Sequence, residues 1–350
     1  MNFEFRQRKI KPSIIIASVV IGLILGTGFV LLGGFNVITV YSYLIKGSLG
    51  SVPALTSSIR WSTIFLLCGI ASGISFKGGM FNMGTEGQLY VGAFSATLAG
   101  IYIKGLPAVL HIPLCMIIGM LAGALWASVP AVLRVYWNTN EIVVTLMMNY
   151  IAINLTSFLV KEYFLTTGIF GDSLTTDELL PSAHFPSFGN SPISFGFLLG
   201  IVLVILFIIF FEKTKKGFEI KVSGFNPEFA KYSGISVNRV RISVMLLSGA
   251  IAGLAGAAEI MGVQGRFLSG FSPDFGTSGM LVALLGNSSG IGIFISSLFM
   301  GCLKAGSLTL ERSAGVSRAL AVVIQSLIIC FISVKTFNIP FKYKKRNKEA

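Results

Sequence analysis

The chain has 350 residues, 53% of them hydrophobic and only 12% charged, against roughly 25% charged in an ordinary soluble domain. Its formal charge of +13 is placed beside long uncharged stretches, as the positive-inside rule of membrane proteins describes, and not in a nucleic-acid-binding patch. Composition and charge placement together exclude a soluble globular fold and argue against nucleic acid as a partner. Several uncharged stretches approach or exceed about 18 residues, the length of a bilayer-spanning helix, and they lack barrel-type alternation. The expected fold class is therefore all-α: one polytopic membrane domain over residues 1–350, with about ten transmembrane helices, some short or broken.

In chain order, Arg6, Arg8, Lys9 and Lys11 precede a first span at about 13–32. No small-residue cleavage site is evident there, so it reads as an uncleaved helix. A polar, Gly/Ser-containing stretch to Ser58 is expected outside. A second span is expected at 60–76, and Lys77-Gly78-Gly79 breaks the chain before a third segment at 80–103. A fourth, at 109–133, ends in Arg134 and the interfacial pair Tyr136/Trp137. A fifth covers 141–160. The polar segment 161–192 carries the acids Glu162, Asp172, Asp177 and Glu178, and a sixth span covers 193–211. A seventh is expected at 242–263, a segment too short to cross unaided at 275–285, a ninth span at 291–310 and a tenth at 318–334. His111 and His184 are expected in outer loops, without a catalytic role. Gly22/Gly26, Gly69/Gly73, Gly119/Gly123, Gly196/Gly200 and Gly249/Gly253 keep the small-xxx-small spacing that lets helix backbones approach. Cys68, Cys115, Cys302 and Cys330 lie inside apolar segments without metal spacing and read as small buried hydrophobes.

The longest basic interruption, residues 217–241, contains one short helix with both ends marked. Asn226 is placed to cap it, Pro227 suits its first turn, Glu228 complements its positive end, and Gly234 suits the left-handed stop. Such a helix between spans is shaped either for another protein's grip or for the lipid interface. Ten crossings with cytoplasmic termini put 19 of the 27 Lys and Arg residues on the cytoplasmic side, including this loop at about 212–241. The opposite orientation leaves 8 there.

No phosphate-binding G-x-x-x-x-G-K-[ST] motif, no His/Cys cluster and no Asp-rich metal motif occurs. The chain therefore reads as a non-enzyme that binds no cofactor. Polar groups at membrane depth stand out instead: Asn82, Glu86 and Gln88 in GMFNMGTEGQLYVGAF, Asn149 and Asn154 after Asn140-Glu141, Glu259 and Gln264, Asn287, and Gln325. A carboxylate near a bilayer centre costs roughly 2.5–3.5 kcal/mol on insertion scales, so Glu86 and Glu259 face either a cavity or a neighbouring helix. One glycine-rich, single-carboxylate segment in each half hints at two halves around a central path.

GMFNMGTEGQLYVGAF resembles the F-N-[IM]-G-x-E-G-Q stretch of permease subunits from ABC importers of nucleosides and simple sugars. Asn140–Ala152 resembles the family's N-E-[VI]-x-x-T-L-M-x-N-Y-I-A run, and Ser248–Phe267 its S-G-A-x-A-G-L-A-G-A-x-E segment. Gly224, Asn226, Pro227, Ala230, Tyr232, Ser233, Gly234 and Ile235 match its G-x-N-x-x-A-x-Y-[SA]-G-I pattern. Thr85 departs from the family's usual alanine. The resemblance spans about residues 60–335. It implies that 225–235 is a coupling helix docking on a separate cytoplasmic ABC ATPase subunit, which uses the ATP and Mg, with Gly224, Asn226, Pro227, Ala230, Tyr232 and Gly234 in the coupling segment. It further implies a second permease, identical or homologous, an extracytoplasmic substrate-binding lipoprotein, and a multi-pass location in a bacterial inner membrane. The implied solute is a nucleoside, a purine nucleoside first, on a path bearing Asn82, Glu86, Gln88, Asn149, Glu259 and Gln264. The alternatives are a simple-sugar permease of the same kind, an ion-coupled secondary transporter using Glu86 or Glu259, and a structural membrane protein without transport.

Overall fold

Several helices open on a side-chain N-cap: Asn36, Ser51, Asn140, Thr214 and Asn226 each accept from an amide of the first turn. The computed structural model describes residues 26–28, 30–32, 34–166, 174–186, 194–314, 322, 323 and 326. Most of the expected first span, the expected tenth span with Gln325, Cys330, and the basic residues of both termini lie outside the described residues. Eleven α-helices lie wholly within those described: α1 (Val37–Leu49), α2 (Val52–Lys77), α3 (Thr85–Tyr102), α4 (Ala108–Trp137), α5 (Glu141–Tyr163), α6 (Gly196–Lys213), α7 (Lys215–Phe225), α8 (Pro227–Tyr232), α9 (Val237–Glu259), α10 (Phe275–Leu285) and α11 (Gly290–Ala314). An antiparallel bridge pairs Thr175 with Leu268.

The polytopic helical class stands; the described residues leave the expected count of about ten unconfirmed, because most of the first and tenth expected spans lie outside them. Six helices among the described residues are long and apolar enough to cross a membrane: α2, α4, α5, α6, α9 with its continuation to Gln264, and α11. The α3 helix falls short on hydropathy because Thr85, Glu86, Gln88, Ser95 and Thr97 dilute it, yet most of its residues are buried.

Three further expectations are corrected. The stretch to Ser58 is not a polar loop: it forms α1 and the first turns of α2. Asn36 accepts hydrogen bonds from the Ile38 and Thr39 amides at 2.9 and 3.4 Å, and Ser51 accepts one from the Ala54 amide at 3.3 Å. Residues that read as loop formers are here N-caps, which satisfy otherwise unpaired amides. Residues 215–225 form a helix of their own, α7, started by the Thr214 hydroxyl, which accepts from the Gly217 amide at 3.0 Å. His111 lies within α4, fully buried, with Nδ1 2.8 Å from the Ser182 hydroxyl and Nε2 3.3 Å from the Ala99 carbonyl.

The centre of the bundle is α2, α3 and α9. In the most apolar stretches of α2 and α9, 72% and 78% of residues are buried, against 22% in α4 and α5. The last two therefore form the outer shell, with Leu121, Leu125, Val143 and Met147 outward. Small residues make the centre possible. A methyl group added at Gly253 of α9 would collide with the Gly119 carbonyl and Gly123 of α4, and one added at Gly92 of α3 would strike Gly253 itself. Without a hydrophobic driving force between helices in lipid, this close backbone contact is what holds them. At one end, residues 174–186 clasp the turn that follows α9: Phe185, Leu179 and Thr176 donate backbone bonds to Met261, Gly265 and Phe267 at 2.9, 2.9 and 3.1 Å.

Candidate translocation core and docking surface

The FNMG turn before α3 is held from three sides. Asn82 is fully buried, and its side chain makes four hydrogen bonds. Its Nδ2 donates to Gln88 Oε1 at 3.0 Å and to the Ser248 hydroxyl at 2.8 Å; its Oδ1 accepts from the Gly84 amide at 2.9 Å and from Gln88 Nε2 at 3.1 Å. Ser248 donates onward to the Ala71 carbonyl at 2.7 Å, so α2, the turn, α3 and α9 share one network. The amide capacity of Asn82 is thus filled, which is what burial of a polar group requires.

Asn149 of α5 does the same from the other side. Its Oδ1 accepts from the Gly87 amide and its Nδ2 donates to the Met83 carbonyl, both at 2.8 Å. Thr145, one turn earlier on the same face, accepts from the Met83 amide at 3.3 Å. The two motifs read separately in sequence, FNMGTEGQ and NEIVVTLMMNY, are therefore one interlocked unit. Asn154, by contrast, is exposed and donates to the Tyr150 carbonyl of its own helix at 2.7 Å.

The two membrane-depth carboxylates have separate partners. Glu86, 5% exposed, accepts through Oε2 from the Gly276 amide at 2.5 Å, in the first turn of α10. A negative group at the positive end of a helix dipole is favourably placed, and it ties α3 to α10. Glu259, 4% exposed, closes the far end of α9 on α2: Oε1 lies 2.7 Å from Arg60 Nη2 and also accepts from Gln264 Nε2 at 3.3 Å. The Arg60 guanidinium lies 4.2 Å from the centre of the Trp61 ring, a cation–π contact. Gln264 closes a π-helical turn, Ile260–Gln264, that ends at Gly265 with φ +69°. Such turns occur often at functional sites.

Sequence reading missed Arg60 as a partner because it stood at the boundary of an apolar run. A lone cation with no loop around it was the available signal. Ser248 and Thr145 carried no signal beyond being hydroxyls on otherwise apolar faces.

The capped helix α8 forms as expected. Asn226 Oδ1 accepts from the Phe229 amide at 3.0 Å, Pro227 opens the helix, and Gly234 adopts φ +80°, a conformation glycine takes without a Cβ penalty. Ala230 is fully buried against the bundle, and Gly224 lies hard against the Lys77 carbonyl and Gly79 at the end of α2. Around this anchored helix, Phe225, Phe229 and Tyr232 are 80%, 60% and 92% exposed. Three aromatic side chains presented together beside Lys231 on a short, rigid segment form a contact surface with the features of an interface hot spot.

The family described as branched-chain amino acid transport system / permease component matches residues 54–333. Among characterised relatives, the guanosine ABC transporter permease protein NupP of Bacillus subtilis (strain 168) is 31% identical, covering 95% of this chain and 96% of its own. The nucleoside ABC transporter permease protein NupB of Lactococcus lactis subsp. cremoris (strain MG1363) is 34% identical, covering 94% and 92%. The glucose ABC transporter permease protein TsgB13 of Haloferax volcanii is 33% identical, covering 93% and 90%.

Proposed function

We propose a function from one premise: this chain belongs to the branched-chain amino acid transport system / permease component family. It is a multi-pass membrane permease subunit of an ABC importer, and its work is transport, not catalysis. The solute is a nucleoside, with purine nucleosides first. The observation that supports this class is the pair of nucleoside and guanosine permease relatives, similar over more than nine-tenths of every chain compared. The similarly close glucose permease relative supports simple sugars as the second reading.

In this reading the motor is a separate cytoplasmic ABC ATPase that hydrolyses ATP with Mg and grips α8. The exposed aromatics around α8 and its rigid caps support that role. Gly224, Asn226, Pro227, Ala230, Tyr232 and Gly234 build or present the gripped segment. A second permease completes the pathway, and an extracytoplasmic binding lipoprotein delivers the solute to the far face. The bias of basic residues toward one side supports cytoplasmic termini, the run of apolar segments supports about ten crossings, and the bacterial nucleoside permease relatives support a bacterial inner membrane.

We assign Asn82, Glu86, Gln88, Asn149, Glu259 and Gln264 to the solute path. Each of these side chains is hydrogen-bonded to the protein in the present arrangement. Contact with solute therefore entails an exchange of partners as the packed helices shift between two arrangements. Amides that both donate and accept suit the hydroxyls of a ribose and the edge of a base.

Uptake of radiolabelled guanosine by cells carrying the whole system tests the substrate class. Unlabelled adenosine or guanosine is expected to abolish the signal, while ribose and glucose at the same concentration leave it unchanged. Competition by the sugars and not by the nucleosides would transfer the assignment to the sugar reading.

A further inference from the structure

The end of the bundle that carries the basic loops holds a cavity that transport and docking leave unused. It has a volume of about 250 Å³ and lies where the end of α2 meets α6, α7 and the start of α11. Lys77 and Lys221 face it from α2 and α7, with Glu212 and Ser289 also in its lining and Phe207 and Phe211 forming an aromatic wall. The Lys77 ammonium lies 5.3 Å from the Phe211 ring centre and 5.9 Å from that of Phe207, which holds it at the cavity edge by cation–π attraction. Neither lysine forms an ion pair among the described residues. Two cations against one carboxylate leave the cavity with a net positive charge. Its aromatic wall belongs to α6, whose Ile205 and Ile209 are about half exposed on the surface of the bundle.

We propose that this cavity binds the phosphate of an anionic phospholipid headgroup, with the acyl chains lying along the outer face of α6. The two ammonium groups supply the donors for phosphate oxygens, since the Ser289 hydroxyl already donates to the Gly286 carbonyl at 2.9 Å. Half-buried Ile208 lines the cavity beside the exposed Ile205 and Ile209 of α6, and this apolar surface next to two cations suits an amphiphile better than a free ion. Basic pockets between transmembrane helices are a recurring form of headgroup recognition. Bridging Lys77 to Lys221 joins the end of α2 to α7, the helix that leads directly into α8. Occupancy thereby steadies the base of the docking segment.

The test uses the purified full chain in a neutral detergent, with bound lipid counted by native mass spectrometry and melting followed with added phosphatidylglycerol, phosphatidylcholine or inorganic phosphate. Phosphatidylglycerol is expected to remain bound and raise the melting temperature, and the other two are not. K77Q/K221Q is expected to weaken phosphatidylglycerol binding by about fivefold for each lysine, while K104Q, at an exposed lysine outside this cavity, leaves it unchanged. An unchanged affinity in K77Q/K221Q overturns the site. Full stabilisation by inorganic phosphate alone overturns the lipid as occupant. Should the double variant fail to fold, K221Q alone is expected to show the fivefold loss, and its absence is equally decisive.

Discussion

Replacing Arg60 with methionine is expected to be among the most damaging single substitutions in the bundle. Glu259 has 4% exposure, and its oxygen lies 2.7 Å from the guanidinium. Removing one partner of a buried ion pair leaves an uncompensated buried charge, at a cost of about 3–5 kcal/mol. The loss falls where α2 meets the end of α9, so the central helices separate there first. Replacing both residues, as R60M/E259M, removes the orphaned charge and is expected to recover most of the stability, since an apolar pair of similar volume is often neutral in place of a buried ion pair. Melting of the purified variants checks this: a large drop for Arg60→Met, a small one for the double variant. Uptake by the folded double variant is expected to fall at least tenfold, because Glu259 is assigned to the solute path. A single variant that melts like wild type would show that the pair does not hold α2 to α9.

Serine at Phe225, Phe229 and Tyr232 together is expected to abolish uptake with almost no change in melting temperature. The three side chains are 60% or more exposed, so little folding energy resides in them. At an interface, buried aromatic anchors each contribute about 2 kcal/mol or more. Losing three therefore weakens a docked ATPase by at least about a thousandfold, even allowing for non-additivity. Co-purification of the ATPase with the triple variant reads this directly. If α8 instead rests on lipid headgroups, the triple variant keeps its ATPase and its uptake.

Much of this arrangement was legible in the sequence, and the failures have physical causes. Asn226, Pro227 and Gly234 mark the ends of α8 because capping is local chemistry, written within a few residues of the turn it serves. The short apolar segment at 275–285 forms with the expected bounds as α10, its first amide, that of Phe275, held by the Ser272 hydroxyl at 3.0 Å and not by Asp274. The helices α1 and the start of α2 were not legible, because Asn36, Ser51 and Pro53 signal a turn and a helix start with the same residue types. The polar motifs were legible as candidates but not as one network. Nothing local to Asn82 says that Ser248, 166 residues away, will be its partner. Likewise the Glu86 carboxylate reads in sequence as facing either a cavity or a neighbouring helix, and only the fold reveals the α10 amide it meets.

The central claim is that this chain is a passive gate driven through α8 by a separate ATPase. The direct test is nucleoside uptake into proteoliposomes containing the chain, its companion permease and the ATPase, supplied by the binding protein and energised from the α8 side. The account predicts guanosine accumulation that requires ATP hydrolysis and stops when the ATPase is omitted. Accumulation without the ATPase, driven by an ion gradient alone, would contradict it.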